Sequence, residues 1–188
     1  DSASAGAISV NELAAQLLPR RPAGDDRAEE TALAIYLGLE EVQGSTLWTP
    51  LGVAANALSI DRNDASAALL KARERWLKTP QLTELRNHFE SLLSTQGGVM
   101  TVPELASALL AMRGCASQDD AERLRLATAV VRACCEAEAH LERLRFQEFE
   151  HRPLPLIAVS AELAEYARRL GASADACAQA EPLLTPQR

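Results

Sequence analysis

Aromatic residues are scarce in this sequence and make up only 4% of its 188 positions. Sandwiches of β-sheets fill their cores with Tyr, Phe and β-branched residues, so this shortage argues against an all-β fold. The hydrophobic share is an ordinary 47%, and Ala, Leu and Val must supply the core. Ala and Leu are strong helix formers. We therefore expect a mainly α-helical protein with closely packed helices.

The motifs of several enzyme classes are also missing. The sequence has no Gly-rich phosphate loop, no H-x-E combined with CxxC, and no G-x-S-x-G nucleophile elbow. The three histidines are expected to be surface or half-buried side chains, and Glu136 and Glu138 to be helix caps or parts of a solvated face. We therefore predict that this chain is not an enzyme, with no catalytic residue and no cofactor.

Paired cysteines and long apolar runs are absent as well. The four cysteines, Cys115, Cys134, Cys135 and Cys177, form no CxxC, which predicts reduced, mostly buried thiols in a cytoplasmic protein and no metal site. No apolar run is long enough to cross a membrane. The small-residue opening and the ending PLLTPQR suggest a part excised from a larger protein.

The chain lacks the basic excess of most nucleic-acid-binding proteins, since its net charge is −7. The charge is unevenly distributed. Residues 48–78 contain five basic and three acidic residues, so this segment is +2 and the remainder is −9. A locally basic helix in an acidic body can bind DNA, although its long-range attraction is weak.

Residues 48–78 have the pattern of a helix-turn-helix, around which we expect the rest of the chain to be organised. A first helix begins near Thr49, a turn surrounds Ser59, and Asp61 or Asn63 caps a second helix. The apolar residues of the second helix fall within one arc of its helical wheel: Ala65, Ala68, Leu69, Ala72 and Trp76. The opposite, charged side is either a DNA-binding face or simply a solvated surface.

Capping boxes mark helix starts on both sides of this segment. Ser9 with Glu12 and Thr101 with Glu104 match the pattern, and Ser117 with Asp120 suggests a third box opening a long helical region. A break in that region is predicted near residues 127 and 128. The domains predicted from this pattern are residues 1–96, with the helix-turn-helix at 48–78, residues 97–180, and a tail at 181–188.

The second predicted domain ends in a short extended region and a helix. Residues 145–150 and 156–159 read as two strands of a β-hairpin, which after three helices would be the wing of a winged helix; the alternative is an irregular connection. A short helix from Ser173 is expected after the helix over residues 161–170, which should end at Gly171. The predicted inward side chains of the helix over residues 161–170 are Leu163, Tyr166, Ala167 and Leu170.

Two resemblances to known families add to this pattern. Residues 47–78, with the segment LWTPLGVAANALSIDRNDASAALLKARERW, resemble the region-four helix-turn-helix of bacterial sigma factors. The stretches LLPRRP, KARERW, GGVMTVPELASALLAMRG and LAEYARRLG, in this order, resemble the C-terminal part of PglW-type serine/threonine kinases of phage-growth-limitation (BREX) defence systems. That resemblance covers most of the chain and implies a role in defence against phage. The kinase motifs HRD and DFG are absent, so kinase activity is expected outside this chain.

The sigma-factor resemblance places Arg62, Asn63, Ser66, Lys71 and Arg73 towards DNA. Asp64 and Ala67 depart from the pattern where a basic and a long polar side chain would read bases, which would leave mainly phosphate contacts. The full set of predicted DNA-binding residues, including two near the wing, is Arg62, Asn63, Ser66, Lys71, Arg73, Arg75, Lys78, Arg145 and Arg152.

The fold predicted from the sequence is therefore mainly α, with a sigma-region-four-like helix-turn-helix bundle followed by a winged-helix-like domain with a small β-hairpin. The leading function is a DNA-binding regulatory region of a larger bacterial phage-defence protein, with double-stranded DNA as its partner. The alternative is a protein-interaction module that docks another defence component or the kinase domain. A purely structural scaffold is a third possibility. No membrane partner is expected.

Overall fold

A computed structural model describes residues 8–19, 28–152 and 154–180, and within them the protein is mainly helical, as predicted. These residues form eight helices and three short strands. In chain order the elements are α1 Val10–Ala15, α2 Ala28–Leu37, α3 Leu51–Ala57, α4 Arg62–Leu77, α5 Pro80–Thr95, β1 Val99–Thr101, α6 Val102–Arg113, α7 Asp120–Glu138, β2 Gln147–Phe149, β3 Leu156–Ala158 and α8 Ala161–Ala180.

Two of the three predicted capping boxes form. The Glu12 carboxylate accepts from the backbone N–H of Ser9 at 2.9 Å, and Glu104 accepts from that of Thr101 at 2.7 Å. Each pair satisfies donors that would otherwise be unpaired at the start of α1 and α6. The sequence therefore sets these two helix starts locally.

The third predicted box and the predicted helix break are wrong. Asp119 is the N-cap of α7, and its side chain accepts from the backbone N–H of Ala121 at 2.8 Å and of Glu122 at 3.4 Å. The helix then continues without interruption through Ala127 and Thr128 to Glu138. Burial against neighbouring helices on several sides stabilises this stretch despite its β-branched residues.

The three strands form one antiparallel sheet in the order β1–β3–β2. β2 and β3 lie where the sequence predicted extended segments, and Gln147 pairs with Ala158. β1 was missed, although Val99 pairs with the other edge of β3, also opposite Ala158. Gly98, just before β1, has a φ of +85°, and a Cβ at this position would lie 2.6 Å from Leu163 of α8. The positive φ strains any other residue here, and a Cβ would also displace the tip of Leu163, so Gly is favoured where α8 approaches the sheet.

Helix α7 is the element around which the rest of the fold is packed, rather than the predicted helix-turn-helix at 48–78. It contacts α1, α2, α4, α5, α6 and β2. Every residue from Ala127 to Glu138 is buried. The five contacted helices come from both sides of the predicted boundary at 96/97, and one cluster of buried side chains runs through them and α7. The boundary stays a prediction, and the predicted tail at 181–188 lies outside the described residues.

The last helix differs from its prediction in length and in orientation. α8 continues through Gly171, where we expected it to end. Tyr166 is 65% exposed and Leu170 58% exposed, so these two side chains do not point inward as predicted. Ala164 is the fully buried residue of this helix. Among the described residues, no helix combines the length and the apolar character needed to cross a membrane.

Candidate nucleic-acid interface

The segment predicted as a helix-turn-helix consists of α3, a short connection and α4. Ser59 in the connection adopts a φ of +55°, which reverses the chain between the two helices. Asp61 caps α4, since its carboxylate accepts from the backbone N–H of Asn63 at 2.7 Å. The sequence thus predicted both the turn and the cap.

The buried side of α4 is the one that the helical wheel predicted. Ala65, Leu69, Ala72 and Trp76 are buried, and the two alanines allow neighbouring helices to approach closely. The Trp76 indole N–H donates to the backbone carbonyl of Leu17 at 3.0 Å, which ties the end of α4 to the residues after α1. The opposite side of α4 faces solvent.

The exposed side of α4 carries no excess of positive charge. Arg62, Lys71 and Lys78 are exposed, but so are Asp61, Asp64 and Glu74. Lys71 also lines a groove of about 370 Å³ between α2 and α4, together with Asp64 and with Glu29 of α2. Attraction of a phosphate backbone depends on a net positive surface, and this one is balanced.

The two small polar residues predicted to face DNA lie at the start of α4 and are exposed. Ser66 directs its hydroxyl to the helix itself, donating to the backbone carbonyl of Arg62 at 2.7 Å. Asn63 uses its backbone N–H in the cap. The Asn63 side chain is therefore the more available of the two for an external contact.

Two arginines of α4 bind groups within the protein. The Arg73 Nε donates to the Glu136 carboxylate of α7 at 2.7 Å. Arg75 donates to the Leu17 carbonyl, and burial lowers the pKa of its guanidinium. These two residues supply much of the basic character of segment 48–78 in the sequence. Their charges hold α4 to the body of the protein.

Arg145, predicted to contact phosphate near the wing, also makes internal contacts. Its guanidinium donates to Glu138 at 2.9 Å and 2.7 Å, and it reaches Glu90 at 3.0 Å and Asn87 at 2.7 Å. Hydrogen bonding to Glu138 raises the pKa of Arg145 above its ordinary range. The other predicted wing residue, Arg152, is exposed.

The two acidic residues of α7 that receive these arginines were misread in the sequence. Glu136 and Glu138 are 7% and 0% exposed, so they are neither caps nor part of a solvated face. Buried carboxylates require charge partners, and Glu138 also pairs with Arg86 of α5 at 3.3 Å. One signal was available: both residues lie in the largely apolar stretch ATAVVRACCEAEA, which predicts burial on all sides.

A cation–π cluster joins α2 and α7 beside Glu136. The Arg132 guanidinium lies 3.5 Å from the centre of the Tyr36 ring and 4.6 Å from that of Trp48. The Tyr36 hydroxyl donates to Glu136, and the Trp48 indole N–H donates to Glu148 of β2 at 3.0 Å. Burial raises the pKa of both Tyr36 and Glu148. These contacts connect the first half of the chain to the sheet.

The cysteines show no arrangement for catalysis or metal binding in the described parts of the chain. Cys134 and Cys135 are buried in α7, Cys115 is half-buried and Cys177 is exposed. Burial raises the pKa of the Cys134 thiol to about 12, which keeps it protonated and unreactive. Within residues 8–19, 28–152 and 154–180, no three His, Cys, Asp or Glu side chains are grouped so as to hold a metal ion.

Comparison with curated proteins finds a similar sequence. The chain is 27% identical over 205 aligned residues to the protein named probable kinase PglW of Streptomyces coelicolor. The match covers 95% of this chain, and the chain spans 13% of that protein's length. No family model matches the chain. No solved structure matches it either.

This match supports the relation to PglW that the sequence motifs predicted. It also overturns the prediction that the chain is not an enzyme. The missing motifs alone gave that prediction, whereas nearly all of the chain aligns with a protein that is named a kinase. Motif searches of a single segment are a weak basis for excluding an enzyme, because a kinase's catalytic motifs occupy only a small part of its length.

Proposed function

We propose that this chain is a docking module of a PglW-related protein and that the exposed side of α4 binds another protein. The observation that carries the proposal is the composition of that side. Leu70 is 46% exposed near the middle of α4, and the exposed charged residues of this helix and its two caps are three basic and three acidic. An apolar centre with a mixed-charge rim suits a protein partner better than a phosphate backbone.

The order of elements in the second half supports a winged-helix-like arrangement. The chain passes through one helix (α5), one strand (β1), two helices (α6 and α7) and two strands (β2 and β3). In the sheet, β1 and β2 flank β3. In this arrangement α7 occupies the place of the helix that enters the major groove. Since α1, α2 and α4 contact α7, that helix is used for internal packing. A protein-binding role for the remaining surface is consistent with this.

The matched protein's name extends the proposal to kinase activity. We infer that the full-length protein to which this chain is related phosphorylates a target, and that the α4 surface positions either this target or the kinase domain itself. The resemblance to phage-growth-limitation proteins adds a role in defence against phage. Two partners are therefore compatible with the surface: another defence component and the kinase domain.

Duplex DNA is the second candidate partner of the same surface. The observation in its favour is that Arg62, Lys71 and Lys78 are exposed along one helix, and Asn63 stands at its start. Sigma-factor region four presents its second helix to the major groove, and the local helix-turn-helix geometry supports the likeness. Under this alternative, the exposed cations would contact phosphates and Asn63 would contact a base edge.

Photo-crosslinking at Leu70 tests the protein-binding proposal. A photoreactive amino acid at position 70, introduced in cells of the source organism, is expected to give a discrete protein adduct that mass spectrometry can identify. The matched control is position 144, where Leu144 is 40% exposed on a different surface. In a binding assay with the purified chain and the identified protein, Leu70→Glu should weaken binding at least about tenfold, because a charge replaces the apolar centre.

Two results would contradict the proposal. One is an absence of protein adducts at position 70 above the level at position 144. The other is an adduct with a protein whose affinity for the purified chain is unchanged by Leu70→Glu. Since Leu70 is exposed, the free energy of unfolding of that variant should stay within about 0.5 kcal/mol of the parent. Loss of binding would then not be attributable to unfolding.

A further inference from the structure

The outer half of α8 is exposed with respect to the other residues that the structure describes. The helix contacts β1 and β3 through its first turns, and Ala164 is buried there. Every described side chain from 169 to 179 is exposed. A helix of this length is marginal in water by itself, so an additional contact along its surface would stabilise it.

A stripe of apolar side chains lies along the exposed side of α8. Tyr166 and Leu170 are 65% and 58% exposed. Leu163 borders them and is half-buried, because its tip lies against Gly98, and Val159, 37% exposed, lies just before the helix. Within α8, Leu163, Tyr166 and Leu170 are spaced by three and four residues, the repeat that places side chains on one side of a helix and at the contact between paired helices. The stripe is therefore suited to packing against another helix.

We propose that a second copy of the chain covers this stripe, with its α8 antiparallel to the first. Alignment of Leu163 with Tyr166 of the second copy brings Leu170 to the start of that copy's α8, beside Val159, which precedes the helix. The same alignment places Glu162 opposite Arg169 of the second copy, and the two-fold symmetry creates this pair twice. Both residues are exposed and flank the stripe on the same side.

The charges distinguish this arrangement from a parallel one. In a parallel pair of helices, the residues facing Glu162 and Arg169 across the contact would be Ala167 and Ala174, which offer no charge partner. In the antiparallel pair, each carboxylate meets a guanidinium. An isologous contact of this kind closes as a dimer and leaves α4 free. The inference goes beyond the proposed function and does not depend on it.

The test is a charge-exchange experiment on the whole 188-residue chain. Analytical ultracentrifugation from about 10 μM to about 1 mM should show a monomer–dimer equilibrium for the unchanged protein. Glu162→Arg and Arg169→Glu each create like-charge pairs, so each variant alone should dimerise at least about tenfold more weakly. Mixing the two variants should restore association, because both ion pairs reform between the different chains.

The matched control uses Glu142 and Arg143, two exposed charged residues that are adjacent in the sequence and lie outside α8. Glu142→Arg and Arg143→Glu should each leave the dimer unchanged. A protein that stays monomeric at the highest concentration would overturn the proposal, and so would a mixture of the α8 variants that associates no better than either alone. Tyr166→Asp should abolish the dimer while the circular dichroism spectrum of the folded chain is retained.

The exposed Cys177 provides a check on helix direction. In the antiparallel dimer the two Cys177 residues lie roughly 35 Å apart, which no disulfide can span. Mild oxidation should therefore give no covalent dimer through Cys177, as judged against a Cys177→Ser control. Rapid formation of such a dimer would indicate parallel helices and would contradict the antiparallel arrangement.

Discussion

Replacing Glu138 by Gln should lower the free energy of unfolding by about 3–5 kcal/mol, because it removes the buried carboxylate that two arginines share. Glu138 is fully buried and accepts hydrogen bonds from the backbone and guanidinium of Arg145. It also pairs with Arg86, whose side chain is 5% exposed. Gln keeps the shape of the side chain but leaves the Arg86 charge without compensation. Urea unfolding followed by circular dichroism measures the effect.

The same carboxylate should make stability depend on pH in a defined direction. Burial by itself raises the pKa of Glu138, but hydrogen bonds from Arg145 and the charges of Arg145 and Arg86 bring this pKa below its ordinary value of 4.5. A depressed pKa means that the stabilisation is complete above the unfolded value and is lost as pH falls through the folded one. The difference between the parent and Glu138→Gln should therefore be largest at neutral pH and shrink in acid.

Glu84→Gln is the matched control for this prediction. Glu84 pairs with Arg113 at 2.6 Å, but its side chain is 66% exposed. An exposed pair of this kind contributes about 0–1 kcal/mol, so the control variant should unfold almost like the parent. Equal effects of the two substitutions would show that Glu138 does not hold a buried ion cluster together.

Trp76→Ala should cost about 3–5 kcal/mol of stability, since it empties the largest fully buried side-chain volume of α4. It also leaves the Leu17 carbonyl without the indole N–H that lies 3.0 Å away. Trp76→Phe keeps most of the apolar volume and loses the hydrogen bond, so it should cost less. Thermal unfolding of both variants measures the difference.

Leu70→Ala on the opposite side of the same helix serves as the control. Because Leu70 is 46% exposed, its truncation should change stability by less than about 1 kcal/mol. A similar loss for Trp76→Ala and Leu70→Ala would mean that α4 does not bury the side assigned here. The comparison therefore tests the orientation of α4, on which the docking surface depends.

Local patterns in the sequence were enough to predict many helix starts and one buried face. The boxes of Ser9 and Thr101, the cap at Asp61 and the inward side of α4 all depend on residues a few positions apart. Hydrogen bonds and apolar periodicity over such distances are visible in a single sequence. The central place of α7 was not visible, since it results from contacts with elements throughout the chain.

The predicted DNA-binding site shows why counting basic residues along a sequence segment does not predict the charge of a surface. Arg73 and Glu136 are 63 positions apart, and Arg145 and Glu90 are 55 apart, yet each pair is in contact. No spacing rule connects residues at such separations. A basic segment in the sequence therefore became a charge-balanced surface in the fold, with two of its arginines directed inward.

The end of the chain was misjudged for a related reason. Tyr166 and Leu170 have the spacing of a buried stripe, and a single sequence does not say whether such a stripe packs inside the same chain or against another one. In the described part of α8, the buried Ala164 lies in the first turns and the side chains from 169 to 179 are exposed. The exposed remainder is what suggests a second copy as its partner.

Fluorescence anisotropy with a labelled random-sequence duplex, titrated from low to physiological salt, tests most directly whether the α4 surface is built for protein or for DNA. The protein-binding account predicts little binding even at low salt and no further loss in the triple variant Arg62→Ala, Lys71→Ala, Lys78→Ala. Micromolar binding that falls steeply with salt, and that weakens with a smaller salt slope in the triple variant but not in Arg143→Ala, would contradict it. That result would establish α4 as a DNA-binding helix.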